Sequence, residues 1–157
     1  MQTLRPHLTQ IVVGTDFSPC AGAALDYASQ LGAARITLVH VCELGSELGL
    51  PEDLITAARD EEQLARCRDQ LAATVAAYQA RGVAIQGLLR TGKPWEKLNN
   101  AAAEVGANLI VIGRVGADGG GDRDDGQPFG VVAKHLLRRS SRPVLMVPPR
   151  SGGEVAP

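Results

Sequence analysis

Aromatic residues make up 3 % of this chain: one tryptophan, two tyrosines and two phenylalanines. A core so poor in rings must be built from Ala, Val, Leu and Ile, and apolar residues do reach 45 % of the 157 positions. That length suits one domain with a core of its own. No apolar run approaches the roughly 20 residues of a membrane span, and the opening "MQTLRPHLTQ" lacks the apolar centre of a secretory signal. Three cysteines, Cys20, Cys42 and Cys67, form no CxxC pair and leave one over, which fits a reducing cytoplasm better than a disulfide framework. The formal net charge of −1 gives no basic surface for nucleic acid or acidic lipid. No GxxxxGK[ST] occurs, and no Gly-x-Gly-x-x-Gly follows the first strand-like run, so ordinary NTPase and dinucleotide sites are excluded.

What is present is an alternation of two periods. "QIVVGTDF" opens with β-branched residues and reads as a short buried strand. "SPCAGAALDYASQLGA" is a helix with both ends marked: Ser18 as N-cap, Pro19 at the first helical position and Gly32 just past the end. "RITLVHV" (35–41) is the second strand. A long helix over about 53–80 follows, with Leu64, Cys67, Leu71, Val75 and Tyr78 as its apolar stripe. "VAIQGLLR" alternates as an edge strand would, and Pro94 opens a helix that Gly106 closes. "NLIVIG" is an apolar strand, "FGVVAKHLLRR" a short helix with a basic last turn, and "RPVLMVPP" a last strand stopped by prolines. Strand and helix alternating five times predict an α/β fold, a doubly wound parallel sheet with helices on both faces. The pattern places a single domain over residues 1–150 and a disordered tail over 151–157.

In such sheets ligands lie beyond the carboxyl ends of the strands. Asp16 ends the first strand, where it can accept hydrogen bonds from a ligand or simply fix the turn before Ser18. "GRVGADGGGDRDDGQPFGVV" (113–132) can cradle a phosphate between Gly116 and Gly130, at the start of the last helix. Its Asp118, Asp122, Asp124 and Asp125 outnumber Arg114 and Arg123, so a solvated excursion over 117–128 is the competing reading. A calcium loop is rejected, because the twelfth position from Asp122 is Ala133 rather than glutamate. Cys20 lies where a helix dipole lowers a thiol pKa, although a small packing residue explains it as well. Trp95 reads as a packing anchor. His7, His40 and His135 share no ligand spacing with one another or with the cysteines, so no metal site is expected.

Taken together, "IVVGTDFS", "ITLVHV", "ANLIVIGRVG" and "GVVAKHLLRRSSRPVLMVP", in this order and separation, resemble the universal stress protein family over roughly residues 8 to 148. The resemblance implies a five-stranded parallel sheet with about four helices. It also implies a homodimer paired through the last strand, Val144–Val147. Many members bind ATP through Gly-x2-Gly-x9-Gly-Ser/Thr. Carried over, Asp16 and Val41 would hold adenine, Ile112 and Gly113 would lie against base and ribose, and Gly116, Gly130, Val131 and Val132 would hold phosphates. This sequence departs from the pattern twice. Thirteen residues separate Gly116 from Gly130, and Val131 replaces the phosphate-binding hydroxyl. Reading Gly126 as the third glycine restores nearly the usual spacing but loses the helix register. The resemblance therefore implies a cytoplasmic stress-response module that is not an enzyme, or at most a slow ATPase. Its cofactor is ATP or another adenine nucleotide, with or without Mg2+. The alternative is a member with no cofactor that acts through dimerisation and contact with a protein partner.

Overall fold

The computed structural model of the chain describes residues 8–116 and 129–150. Nine elements alternate through them: β1 (Gln10–Thr15), α1 (Pro19–Ser29), β2 (Arg35–Cys42), α2 (Leu54–Ala80), β3 (Ile85–Thr91), α3 (Pro94–Glu104), β4 (Leu109–Gly113), α4 (Val131–Arg139) and β5 (Val144–Val147). The five strands form one parallel sheet in the order β3-β2-β1-β4-β5. The α/β expectation holds, with five strands and four helices, and "VAIQGLLR" is indeed an edge strand. The 151–157 tail lies outside the described residues.

Local grammar sets the helix ends. Ser18 caps α1, its hydroxyl accepting from the Ala21 N–H at 3.2 Å, and Pro19 takes the first position. Asp53 caps α2 in the same way from Thr56 N–H at 2.7 Å. Gly82, at φ 83°, supplies the left-handed turn that lets the chain leave α2 for β3.

Period-two alternation along the strands divides the core into two layers. On one face Ile11, Val13, Ile36 and Leu38 meet α1 and α2 through Ala24, Ala28, Leu71 and Tyr78. On the other Val12, Val39, Val41 and Ile110 meet α3 and α4 through Leu98, Ala102, Ala133 and Leu136. Small residues allow close approach where rings are scarce: a Cβ on Gly14 would stand 3.0 Å from Leu98 Cδ1. The two helices of the first face are also tied by polar groups. The Tyr78 hydroxyl donates to Asp26 of α1, and burial, followed by that carboxylate, pushes the phenol pKa up.

Strand order reverses between β1 and β4. Their carboxyl ends therefore flank the crevice in which open α/β sheets take ligands.

Candidate functional site

The crevice is built from two chain exits. At the end of β1, Thr15 Oγ1 accepts from Phe17 N–H at 3.0 Å, and Asp16 Oδ1 accepts from Ser18 N–H at 3.0 Å. These turns draw Phe17 into the left-handed region at φ 61°, uncommon for a residue with a side chain, and leave Asp16 exposed above the crevice. The plainer reading of Asp16, that it fixes the turn, is thus realised through one oxygen. Val41 is buried one residue beyond His40, the β2 partner of Thr15, so it stands on the neighbouring strand beside the same end.

At the end of β4, Ile112 is buried and Gly113 follows. A Cβ on Gly113 would lie 2.9 Å from Cys20 Sγ and 3.2 Å from Ala21 N. The start of α1 therefore requires this glycine, whatever a ligand requires. Arg114 N–H donates to Val147 O at 2.8 Å, and Gly130 N–H returns to Arg114 O at 2.9 Å. The chain leaves at Gly116 and re-enters beside it, since a Cβ on Gly130 would stand 3.4 Å from Gly116 N. A Cβ on Gly116 would in turn stand 3.0 Å from Asp16 Oδ2. The thirteen-residue spacing thus leaves Gly116 and Gly130 together, against Asp16. The aspartates at 118, 122, 124 and 125, with Arg123 and Gly126, lie outside the described residues.

Helix α4 starts at once after Gly130, whose cap position has no side-chain hydrogen bond. Its first backbone bond runs from Lys134 N–H to Gly130 O at 3.1 Å, so the N–H groups of Val131, Val132 and Ala133 point out of the helix start. Val132 packs against the core, while Val131 is 69 % exposed and presents a bare isopropyl group where a hydroxyl would serve an anion. Arg114 contributes what composition alone concealed. Its Nε is buried and lacks a hydrogen-bond partner among the described residues, and its backbone carbonyl accepts from Gly130 N–H. In the sequence it is one of two arginines beside four aspartates.

The remaining candidates resolve differently. Cys20 is buried, and its Sγ lies 3.4 Å from Val147 O, a packing and tethering position. Trp95 is a packing anchor as expected, stacked on His135 with ring centroids 5.3 Å apart. His40 departs from expectation. The fold brings a ring nitrogen of His40 and the sulfurs of Cys42 and Cys67 within 4.8 Å of one another. Cys42 and Cys67 sulfurs are 3.3 Å apart. Burial first, then the hydrogen bond to Cys67 and the charges of Cys67, Asp60 and Glu47, pushes the Cys42 thiol up to about 12. The clue was His-x-Cys on one strand face, with the second cysteine on the helix that covers it.

The model of the universal stress protein family matches residues 7–148. A universal stress family protein from Burkholderia pseudomallei is 32 % identical at TM-score 0.63, covering 92 % of this chain and 98 % of that one. UspA from Lactobacillus plantarum superposes at TM-score 0.73 with 17 % identity, over 91 % and 99 % of the two chains. A universal stress protein solved in complex with cAMP is 28 % identical at TM-score 0.59, covering 91 % and 98 %. Among proteins of curated function, none matches.

Proposed function

The chain belongs to the universal stress protein family, and from that premise we propose that it is a non-enzymatic stress-response module that binds an adenine nucleotide weakly at the β1/β4 crevice. The observation that carries this reading is the meeting of Asp16, Gly116 and Gly130 at the switch point of the sheet. In this reading Asp16 and Val41 hold the base, and Ile112 and Gly113 lie against base and ribose. Gly116, Gly130, Val131 and Val132 offer backbone N–H groups to phosphate, with Arg114 as the nearby cation. The cAMP complex of a relative supports an adenine ligand.

Affinity is low because Val131 has no hydroxyl. One missing charge-assisted hydrogen bond costs about 1.5–3 kcal/mol, or about 10- to 150-fold. A second reading, a nucleotide-free module working by protein contact, draws on the same residue, since an apolar side chain 69 % exposed at a helix start suits a protein surface better than a phosphate.

Isothermal titration with ATP, ADP and AMP, with and without Mg2+, on the natural protein and on Val131→Ser separates the two. Binding that strengthens about 10-fold or more in Val131→Ser supports the nucleotide site. Silence in both proteins rejects it and leaves the protein-contact reading.

A further inference from the structure

On the opposite face of β2 from Val41, three side chains converge that the nucleotide reading does not use. His40 and Cys42 are two apart on a strand paired on both sides, so they point the same way. Helix α2 lays Cys67 over them, with the two sulfurs 3.3 Å apart and a His40 ring nitrogen within 4.8 Å of the group. Both cysteines are buried, at 1 % and 8 % exposure.

The imidazole is already oriented. Its Nδ1 lies 2.7 Å from Thr15 O. A carbonyl can only accept, so Nδ1 carries a hydrogen, and in the neutral ring this leaves the lone pair on Nε2. Metal-ligating histidines typically show this arrangement, in which the second nitrogen donates to a backbone carbonyl. Phe17 packs against the ring at a centroid distance of 4.5 Å and limits its rotation.

We propose that His40, Cys42 and Cys67 form a binding site for a thiophilic divalent d10 cation of the zinc class, held by one neutral imidazole and two thiolates. Both thiols release their protons to solvent as the ion binds, and two thiolates cancel a divalent charge. The buried site then carries no net charge, which a monovalent ion of the same softness would not achieve. A sulfur–metal distance of about 2.3 Å at a tetrahedral angle sets two sulfurs about 3.8 Å apart. The pair therefore needs to open by about half an ångström. A disulfide would instead draw the sulfurs together to about 2.0 Å and would give the imidazole no part. Three protein ligands leave one position for solvent, and half-buried His40 marks the side of approach.

The test is titration of the fully reduced protein with Cd(II), followed by thiolate-to-metal charge-transfer absorption, and with Zn(II) by calorimetry. One saturable equivalent is expected in the natural protein and in Cys20→Ser. Cys67→Ser, with one thiolate left, should lose at least about half of the charge-transfer band and weaken Zn(II) by at least about 100-fold, the upper end of what losing an outer-shell partner costs. His40→Asn should keep the band and bind less tightly. Natural protein that takes up neither ion as a single equivalent overturns the proposal. So does Cys67→Ser binding as tightly as its parent, or a Cys42–Cys67 disulfide that forms in air despite stoichiometric Zn(II). None of these readouts involves nucleotide, so failure of the crevice reading leaves this result standing.

Discussion

Gly116 and Asp16 touch: a Cβ on the glycine would stand 3.0 Å from the carboxylate's Oδ2, from a residue exactly 100 positions away in the chain. The contact joins the exits of β1 and β4 across the crevice. A methyl group there obliges the Asp16 carboxylate to give way by a few tenths of an ångström. Gly116→Ala is therefore expected to weaken adenine-nucleotide binding about tenfold or more, in the range of one lost charged hydrogen bond. Its midpoint of thermal unfolding should barely move, because Gly116 is exposed and outside the core. Calorimetric titration beside a melting curve checks both halves. A large loss of stability would mean that the contact serves the fold.

Gly113 makes the opposite case. Its Cβ would meet Cys20 Sγ at 2.9 Å and also backbone atoms, Cys20 C at 3.1 Å and Ala21 N at 3.2 Å. Gly113→Ala should cost about 1–3 kcal/mol of stability as an overpacking lesion. Cys20→Ala removes the sulfur but not the backbone of α1, so the double variant should recover part of the loss and not all of it. Urea unfolding of the four proteins measures the coupling. Full recovery would place the clash on the sulfur alone.

Local chemistry made the elements legible. Ser18, Pro19 and Gly82 announce their helix ends whatever surrounds them, and the alternation of periods two and 3.6 announces the layers. The glycines at 113, 116 and 130 were legible as places of close approach, but what approaches them is a tertiary fact. The sequence cannot say that Gly113 faces α1 while Gly116 faces Asp16. The sulfur and imidazole cluster was hidden for the same reason. Its members are 2 and 25 residues apart, and α2 packing on β2 makes them neighbours.

Acid should loosen the β2–α2 connection. Buried Asp60 accepts from Ser46 Oγ at 2.6 Å and from Gly45 N–H at 2.8 Å. The Ser46 hydroxyl above all, assisted by the two backbone N–H groups and opposed by desolvation, holds its carboxyl below the ordinary 3.8. The unfolded chain thus takes up this proton more readily than the folded one. The stability involved is complete above 3.8 and is lost as pH falls through the lower folded value. Ser46→Ala should make the acid limb of the stability curve shallower and leave its shape near neutrality unchanged. Urea unfolding across a pH series checks it, and an unchanged acid slope would show that Asp60 carries none of the limb.

The last prediction concerns the edge at β5. Pro143 O and Val147 O accept from Ile110 of β4 and from Arg114 just past its end, so by alternation the peptide groups of Val144 and Met146 face away from the sheet. An apolar edge strand whose outward donors and acceptors meet no further strand among the described residues is a template for another strand. A second copy related by a twofold axis offers an identical, self-complementary partner. Sedimentation velocity should therefore report twice the chain mass of 16.5 kDa. Met146→Pro deletes an outward donor without touching a β4 bond, and should shift the protein to monomer. Because Met146 also packs in the core, Leu145→Ala is the control: it injures packing on the same strand but keeps every outward N–H, and should stay dimeric. A natural protein that sediments as a monomer at micromolar concentration would mean that β5 pairs with no second copy, and the exposed edge would then have to be explained by some other cover.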